Sequence, residues 1–520
     1  MRVRLVNAPN RPFDNVVAAA RSCYSKTPFT AEMATGDHLE DAVRRRKALG
    51  RRDRIARSVY EAGHHTTYQH AYLQFIIEGV SRHALWCFLH SHQFYNSEQV
   101  SQRYVEVEPD AVYVPPELTG AARSVFEEAV QAAHATYREL SDALEPIAEA
   151  AILTHFPTLA RPVHQKRLAV QRRRKAQEVA RYVLPLATTA HLHHTISALT
   201  LLRYHRAVAN PDAPGELRAL VGAMVDELLR VDPGFAQVLE EPLPELPVRW
   251  RILDGTEGSY TRGAFRQEFD ARLGDRFSAL LSDATGARST LADAVRTVLG
   301  MPRSQLPDED AVVTTLDAGR NPLLAETLNL STLDPLTRAL HQVTFTFATK
   351  ISHTADSQNQ RHRMVPGARP VLAAVTDETP DYIVPALIAE REDLRSRFVE
   401  AMEAAWAAAA WLRRHGPEAT LASYLLPNAV TVRLMETSDL LHLHHKMRMR
   451  LCWNAQDEIR RAAWEQAMQI AEADPLIGSY LLPPCGVRLA AGRKPYCPEG
   501  DRFCGVAVWK LRLEDQRPDS

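Results

Sequence analysis

The sequence predicts an α+β protein built from two tandem copies of one domain. Three observations predict this class: an internal self-match, short segments in which apolar and polar residues alternate, and longer segments with the apolar spacing of helices. With 520 residues, the chain also exceeds the length that one hydrophobic core usually organises. We therefore expect more than one domain.

The self-match consists of two blocks that occur in the same order in both halves. Residues 185–233 align without a gap on residues 427–475, at a constant shift of 242. Further upstream, Phe75 aligns with Phe345 at a shift of 270. Because two ordered matches are hard to obtain by chance, they indicate an internal duplication.

The two shifts differ by 28 residues, so the first copy carries extra length, within about residues 114–176. Apolar spacing and few glycines predict helix in this insert. Residues 240–250 contain three prolines and several acidic residues, which is typical of a linker. We therefore place the first copy at 1–245 and the second, which ends in a cysteine-containing tail, at 246–520.

Both copies are predicted to contain the same elements in the same order. A short strand and a helix come first, an alternating strand follows, and a serine then caps the next helix. The predicted strands are 3–6 and 72–76 in the first copy and 249–253 and 343–347 in the second, and the capping residues are Ser81 and Ser352. Long amphipathic helices are predicted at 437–450 and at 455–473, the latter with Ile459, Ala463 and Ile470 facing inward.

Composition excludes several classes of protein. A formal net charge of −1 provides no long-range electrostatic attraction for nucleic acid or an anionic membrane. The basic runs also lack the interleaved aromatic residues that are typical of RNA-binding segments. We therefore expect neither a nucleic acid nor a membrane as a partner. Six cysteines are too few for a disulfide scaffold at this length. The first residues lack the apolar core of a signal peptide, and no apolar run is long enough to cross a bilayer, so we expect a cytoplasmic protein.

Two segments concentrate groups that could carry chemistry. In the first, Gln99, Ser101 and Arg103 offer amide, hydroxyl and guanidinium groups suited to a phosphate and a ring edge. In the second, Arg361, His362 and Arg363 place three potentially cationic side chains in a row, which repel one another unless an anion lies among them. A polar loop and a solvated helix end, respectively, are the alternative interpretations.

Four motifs of the first copy occur in a fixed order: AAARSCYS (18–25), GHHTTYQH (63–70), FIIEGVSRH (75–83) and SQRYV (101–105). Together they resemble the flavin-dependent thymidylate synthases, the ThyX family. The signature of that family joins Arg-His-Arg to Ser-x-Arg-Tyr. Here the first copy keeps only the second part, at 101–104, and has His-Ser-His at 90–92, whereas the second copy keeps only the first part, at 361–363.

The downstream motifs of that family are divided in the same way. The first copy has Arg181 before its Leu-Pro pair, where the second copy has Ser423. The second copy has Arg450 and the run Ala-Gln-Asp-Glu-Ile-Arg at 455–460, where the first copy has Val208 and Pro214 in place of the arginine and the glutamine. The losses are complementary, as expected if two subunits were fused and each copy kept half of one shared site.

The resemblance implies a small, mostly antiparallel sheet packed with long helices in each copy, and a role for each retained residue. Arg450 would be catalytic, stabilising charge that develops on the uracil ring. The residues implied to bind dUMP are Gln99, Ser101, Arg103, Arg181, Gln358, Arg361 and Arg450. The residues implied to bind FAD are Thr66, Gln99, Arg361, His362, Arg363 and Asp439, the last standing where the family often has Asn.

The implied reaction is the reductive methylation of dUMP to dTMP, with methylenetetrahydrofolate as carbon donor, FAD as hydride carrier and NADPH as reductant. The family's architecture implies a homodimer of this chain that forms a pseudo-tetramer. A different class stays open: a non-catalytic protein of the same fold that binds nucleotide or flavin, or serves a structural role. An arginine-rich RNA-binding protein is a third, weaker alternative.

We interpret the cysteines and the histidine clusters as structural residues and not as metal ligands. In the tail, Cys485, Cys497 and Cys504 suggest zinc with a fourth ligand from elsewhere, but their spacing lacks a Cys-x-x-Cys pair, so no metal site is expected. The other three cysteines, Cys23, Cys87 and Cys452, are interpreted as core thiols. The histidines at 191–194 and 442–445 are interpreted as ordinary helix residues.

Overall fold

The computed structural model describes residues 1–90, 92–210, 213–245, 262–282 and 284–518. The strand predicted at 249–253 lies outside the described residues. Within them, no helix combines the length and the apolar character needed to cross a membrane.

The chain forms two compact units, and each unit takes residues from both halves of the sequence. Unit 1 consists of Met1–Val130, Pro185–Gly258 and Trp411–Leu425. Unit 2 consists of Gln131–Leu184, Ser259–Ala410 and Leu426–Ser520.

Strands and helices of the described residues confirm the predicted α+β class. The strands are β1 Arg2–Asn7, β2 Tyr72–Ser81, β3 Asn96–Gln99, β4 Thr189–Ser197, β5 Ser278–Leu280, β6 Thr344–Ser352, β7 Gly367–Ala368 and β8 Thr431–Asp439. The helices are α1 Pro12–Ser22, α2 Ala31–Thr35, α3 Ala42–Glu61, α4 Arg82–Leu89, α5 Gly120–His155, α6 Gln165–Ala180, α7 Ala198–Ala207, α8 Pro214–Val231, α9 Arg262–Leu273, α10 Ala287–Leu299, α11 Asp308–Leu316, α12 His353–Asn359, α13 Leu372–Val375, α14 Ala386–Ala389, α15 Glu392–His415, α16 Leu440–Arg450, α17 Asp457–Ala473, α18 Pro475–Gly478 and α19 Pro484–Ala490.

Each unit contains a four-stranded antiparallel sheet of the same topology. The order is β1-β2-β4-β3 in unit 1 and β5-β6-β8-β7 in unit 2. In unit 1, α8 packs against β1, where the Leu5 amide donates to Glu227 Oε2 at 2.8 Å. In unit 2, Phe345 and Phe347 of β6 form one buried cluster with Met447 of α16 and Ile470 of α17. The two sheets therefore repeat one plan.

Strand register corrects the sequence alignment upstream of the helices. Phe75 pairs with His194 and Phe347 pairs with Glu436, and His194 and Glu436 are separated by the shift of 242. The counterpart of Phe75 is therefore Phe347, not Phe345. A bulge at Gly79, whose φ is +73°, adds one residue to β2, so the shift becomes 271 at the helix caps Ser81 and Ser352.

Both predicted caps are confirmed, and the helix predicted at 437–450 is partly wrong. The hydroxyls of Ser81 and Ser352 accept hydrogen bonds from the amides three residues later. Residues 437–439 instead complete β8, because they pair with β6, and Asp439 caps α16 from the strand end. The predicted inward stripe of α17, at Ile459, Ala463 and Ile470, is buried. The histidines at 191–194 lie in β4, so their assignment to a helix was wrong.

A buried carboxylate joins three segments of unit 1. Glu216 Oε2 accepts hydrogen bonds from the Tyr424 hydroxyl at 2.9 Å and from Ser81 Oγ at 2.6 Å, and Oε1 accepts from the Ser81 amide at 2.8 Å. Glu216 and Ser81 belong to the first half of the sequence, whereas Tyr424 belongs to the second.

The same glutamate–serine–tyrosine hydrogen bonds recur in unit 2, but there the glutamate and serine come from the second half of the sequence and the tyrosine from the first. Glu458 Oε2 accepts from the Tyr182 hydroxyl at 2.5 Å and from Ser352 Oγ at 2.7 Å, and Oε1 accepts from the Ser352 amide. Here Glu458 and Ser352 belong to the second half and Tyr182 to the first. Reciprocal use of one buried interaction is what two fused copies of an intertwined dimer are expected to show.

Removing either tyrosine hydroxyl should destabilise the fold, because a buried carboxylate would lose a donor. For Tyr182→Phe and Tyr424→Phe, we expect the free energy of unfolding to fall by about 1–3 kcal/mol, measured by urea denaturation followed by circular dichroism. Tyr24→Phe is the control, because Tyr24 is 79% exposed. An unfolding curve of Tyr424→Phe that superimposes on the wild-type curve would contradict the structural role of the carboxylate.

Buried histidines should make the fold sensitive to acid. Burial lowers the pKa of His194 and of His444 to about 3, so both are neutral in the folded protein and take up protons on unfolding. Stability should therefore fall as the pH drops from about 6.5 towards 3, by up to about 1.4 kcal/mol per pH unit for each histidine. His444→Gln should flatten this dependence in urea denaturation, whereas exposed His64→Gln should leave the slope unchanged; equal slopes for both variants would refute it.

Candidate active site

A polar cluster in unit 2 centres on the amide of Gln456, which is the N-cap of α17 and is 3% exposed. Its Oε1 accepts hydrogen bonds from Arg181 Nη2, at 3.1 Å, and from Gln358 Nε2. Its Nε2 donates to the Tyr182 hydroxyl. Both ends of the amide are thus committed, so Gln456 fixes the directions of Arg181 and Gln358.

Arg181 comes from the first half of the sequence, whereas Gln456, which accepts from its guanidinium, comes from the second. It begins the 3₁₀ turn that follows α6, and its side chain is buried. Its carbonyl accepts from Asn428 Nδ2 at 3.0 Å, and the Ala429 amide donates to the carbonyl of Tyr182. A buried guanidinium needs polar partners or an anion to offset its lost hydration. Gln456 Oε1 is one such partner.

Arg450, the last residue of α16, is held by two neutral acceptors. Its Nε donates to His362 Nε2 at 2.9 Å, and its Nη2 donates to the main-chain oxygen of Gln358 at 2.5 Å. These two hydrogen bonds orient the guanidinium of Arg450 beside Gln358.

His362 is neutral in this arrangement. Burial lowers its pKa well below the usual value, and the positive charges of Arg450 and Lys446 lower it further. Because Nε2 accepts the hydrogen bond from Arg450, the ring proton must reside on Nδ1. The three potentially cationic residues at 361–363 thus include only two charges, Arg361, which is exposed, and Arg363, which is half-buried.

Glu458 ties this cluster to the buried tyrosine and serine. Burial raises the pKa of Glu458, although the hydrogen bonds from Tyr182 and Ser352 act in the opposite direction. Burial likewise raises the pKa of Tyr182 well above its usual value, with Glu458 adding to the effect. The tyrosine therefore remains a hydroxyl donor, and its position is fixed next to Gln456.

A cavity of about 380 Å³ opens in unit 2 beside these groups. Gln456, Tyr182 and Glu458 form part of its wall, together with the segment 383–390 and the side chain of Arg461. Pockets for small molecules usually have about 300–1,000 Å³, so a small ligand fits this space. Its wall does not include Arg181, Gln358, Arg361 or Arg450.

The corresponding place in unit 1 has lost its polar groups. At the positions of Arg450 and Arg181 stand Val208 and Ser423, and after the bulge correction Cys87 stands at the position of Gln358. A cavity of about 240 Å³ there is walled by Val208 and by aromatic residues such as Phe88 and Phe94. Unit 1 thus keeps the Tyr–Glu–Ser set and has no counterpart of these three polar side chains.

The remaining predicted site residues of the first half lie in unit 1. Gln99 ends β3, and its Oε1 accepts from Arg82 Nη1 at 2.9 Å. The Arg103 amide donates to Ser101 Oγ at 3.2 Å, and the Arg103 guanidinium lies 5.6 Å from the centre of the Tyr104 ring. Thr66 is exposed in the 3₁₀ helix His65–His70.

Asp439 forms a separate cluster with two histidines in unit 2. Its Oδ2 lies 3.0 Å from His341 Nδ1 and 2.8 Å from His442 Nδ1, and its Oδ1 accepts from the His442 amide at 2.9 Å. Burial alone would raise the pKa of Asp439, but the hydrogen bonds from His442 and His341 outweigh it and lower the pKa. Asp439 is therefore an anionic residue in a position where the resemblance implied a flavin contact.

Three residues of the cluster were not assigned to the site from the sequence: Gln456, Tyr182 and Glu458. Each carried a usable signal, because Gln456 and Glu458 lie in the retained run 455–460 and Tyr182 aligns with Tyr424. The sequence did not show that a tyrosine of one half contacts a glutamate of the other half.

Comparison with known proteins agrees with the motifs. A flavin-dependent thymidylate synthase of Clostridium tetani is 28% identical over 237 residues, which are 45% of this chain and 85% of that protein. The enzyme of the same name from Mycobacterium sp. (strain JLS) is 32% identical over 208 residues, 39% of this chain and 74% of that protein. Among solved structures, the UMP/dUMP methylase PolB from Streptomyces cacaoi, bound with 5-Br dUMP, has 20% identity and a TM-score of 0.32, covering 46% of this chain and 93% of that one.

The family described as "Thymidylate synthase complementing protein", Thy1, matches two regions, residues 4–234 and 279–476. One region falls in each half of the sequence, as the self-match predicts. Since the two regions together span most of the chain, the chain belongs to the Thy1 (ThyX) family.

Proposed function

We propose that this chain is a flavin-dependent thymidylate synthase that converts dUMP to dTMP by reductive methylation, with an active site composed of residues from both halves of the sequence. The observation that carries the proposal is the hydrogen-bonded cluster of unit 2. It joins Arg181 of the first half to Gln358 and Gln456 of the second, and Gln358 to Arg450. The names of the relatives and the complementary pattern of losses support the same activity.

Each arginine has a distinct task in this proposal. Arg181 and Arg361 bind the nucleotide together with Gln358, since guanidinium groups bind phosphate through paired hydrogen bonds. Arg450 stabilises negative charge that develops on the uracil ring, and its hydrogen bonds to His362 and to the Gln358 carbonyl orient the cation for this task. We propose Gln99, Ser101 and Arg103 as further dUMP-binding residues.

The residues proposed for FAD offer donors suited to its pyrophosphate. Arg361 is exposed and Arg363 is half-buried, so both can meet a large anionic ligand, and neutral His362 lies between them in sequence. Thr66, Gln99 and Asp439 complete the proposed set, although the negative charge of Asp439 suits a donor group of the ligand and not a phosphate. When bound, FAD supplies hydride transfer, with methylenetetrahydrofolate and NADPH as co-substrates.

A non-catalytic role fits unit 1 better than the whole chain. There the position of Arg450 is occupied by Val208, and the adjoining cavity is walled largely by apolar side chains. We therefore propose one active cluster per chain, in unit 2. If the chain forms a homodimer, as expected for a pseudo-tetramer, the assembly has two such clusters.

Substitutions at the two ends of the cluster test this proposal. We expect purified protein to show flavin absorbance and to form dTMP from dUMP, methylenetetrahydrofolate and NADPH. Arg450→Ala should lower kcat at least about 100-fold, as removal of one transition-state donor does elsewhere. Arg181→Ala should raise the KM for dUMP, because it removes a substrate contact.

Ser423→Ala is the matched control, because Ser423 aligns with Arg181 and lies in unit 1, which lacks the counterparts of Arg181, Gln358 and Arg450. Its kinetics should stay close to those of the wild type. The same comparison can be made by rescue of a thymidine-requiring strain. Wild-type activity in both Arg181→Ala and Arg450→Ala would refute the assigned roles. Flavin and dUMP binding without product would favour the non-catalytic alternative.

The dUMP-binding role of the first-half signature needs a separate measurement. Isothermal titration with dUMP, in the absence of folate and reductant, should show weaker binding by Arg103→Ala than by the wild type, because a phosphate contact is lost. Arg123→Ala is the control, since Arg123 forms an exposed ion pair with Glu127 on α5. Equal dissociation constants for Arg103→Ala and wild type would remove Arg103 from the site.

A further inference from the structure

Four of the six cysteines line one small cavity in unit 2. They are Cys452, Cys485, Cys497 and Cys504, and the cavity has about 10 Å³, close to the volume of one water-sized sphere. Cys452 lies two residues after α16, Cys485 lies in α19, and the other two lie in the tail that follows α19. The chain therefore brings thiols from three separate segments to a space that fits a single ion.

The surroundings of these thiols are largely apolar. Cys485 is buried and the other three are half-buried, and the wall includes the rings of Trp453, Phe503 and Trp509. Burial raises the pKa of Cys485 to about 12 and that of Cys452 to about 11, and the neighbouring cysteines contribute in the same direction. The four sulfurs thus lie close enough to influence one another.

The tail itself has little regular structure to hold it in place. After α19, its only helical segments are short 3₁₀ turns, and its sequence is rich in proline and glycine. Its polar links to the rest of unit 2 include Asn454 Nδ2 to the Arg502 carbonyl and Trp464 Nε1 to the Leu513 carbonyl, at 2.8 Å. A cross-link at the four cysteines would join this tail to the segment between Arg450 and Gln456.

We propose that Cys452, Cys485, Cys497 and Cys504 bind one zinc ion in a tetrahedral, structural site. Four thiolates with no open position are a typical ligand set for structural zinc. Binding releases the thiol protons to solvent, and the dication offsets part of the charge of the four thiolates. Burial raises the pKa of Cys504, and the nearby charge of Arg460 acts in the opposite direction, so Arg460 offers further compensation for the thiolates.

Binding requires the sulfurs to move closer together. Among the described residues, only His341, Asp439 and His442 bring three ligand atoms within 4.8 Å of one another. Zinc–sulfur bonds of about 2.3 Å place tetrahedral sulfurs about 3.8 Å apart. The metal therefore draws in the tail, and it also fixes the segment 451–456, which connects the proposed catalytic Arg450 to Gln456.

Metal analysis of the full chain tests the proposal. Protein purified under reducing conditions, without a histidine tag or chelator, should contain close to one zinc per chain by mass spectrometry. Cys497→Ala and Cys504→Ala should lower the content at least tenfold. The controls are Cys23→Ala, at an exposed cysteine outside the cavity, and Asp439→Asn, which disables the histidine–aspartate cluster. Both controls should keep the metal.

A cobalt titration covers the case in which the cysteine variants fail to fold. Metal-free, reduced wild-type protein should bind one equivalent of Co²⁺, giving the visible bands of tetrahedral cobalt and thiolate-to-metal charge transfer in the near ultraviolet, and zinc should abolish both. Absence of zinc together with absence of these bands overturns the proposal. So does loss of metal in Asp439→Asn but not in the cysteine variants, or a disulfide among the four cysteines in freshly purified protein.

Discussion

The candidate site depends on the hydrogen bonds that the buried carboxylate of Glu458 accepts. A carboxylate removed from water must be met by donors, and here the donors are Tyr182 and Ser352. They fix the start of α17, the start of α12 and the turn after α6. Because Tyr182 comes from the other half of the sequence, its hydrogen bond to Glu458 also brings the neighbouring Arg181 to Gln456. The scaffold and the site are thus built by the same contact.

Unit 1 shows that the buried tyrosine–glutamate–serine contacts can be kept without the arginine and glutamine side chains that surround them in unit 2. Glu216 keeps both its tyrosine and its serine donor, although the arginine and glutamine positions around it have become valine, proline and serine. Loss of a donor from a buried carboxylate would cost stability, whereas loss of a ligand-binding side chain costs only function at that place. Under the proposal of one active cluster per chain, the polar side chains around Glu216 can change while its buried hydrogen bonds are retained.

Glu458 and Arg450 are held by different kinds of partner. The buried acid Glu458 is satisfied by hydroxyl and amide donors, and Arg450 is held by a neutral imidazole and a carbonyl oxygen. Cys452, Trp453 and Asn454 line the cysteine cavity and lie between Arg450 and Gln456 in the sequence, so the rigidity of that segment bears directly on the proposed site.

The sequence by itself determined the duplication, the α+β class, the helix caps at Ser81 and Ser352, and the complementary retention of Arg181 and Arg450, because these depend on local pattern and on residue identity. Tertiary structure decided what depends on contacts between distant segments. It set the strand register that pairs Phe75 with His194, gave Gln456 its central place, left Cys23 exposed although it was interpreted as a core thiol, and brought Cys452 to the cysteines of the tail. An amide or a thiol has the same local signature in a core as in a site, and only its neighbours in space distinguish the two.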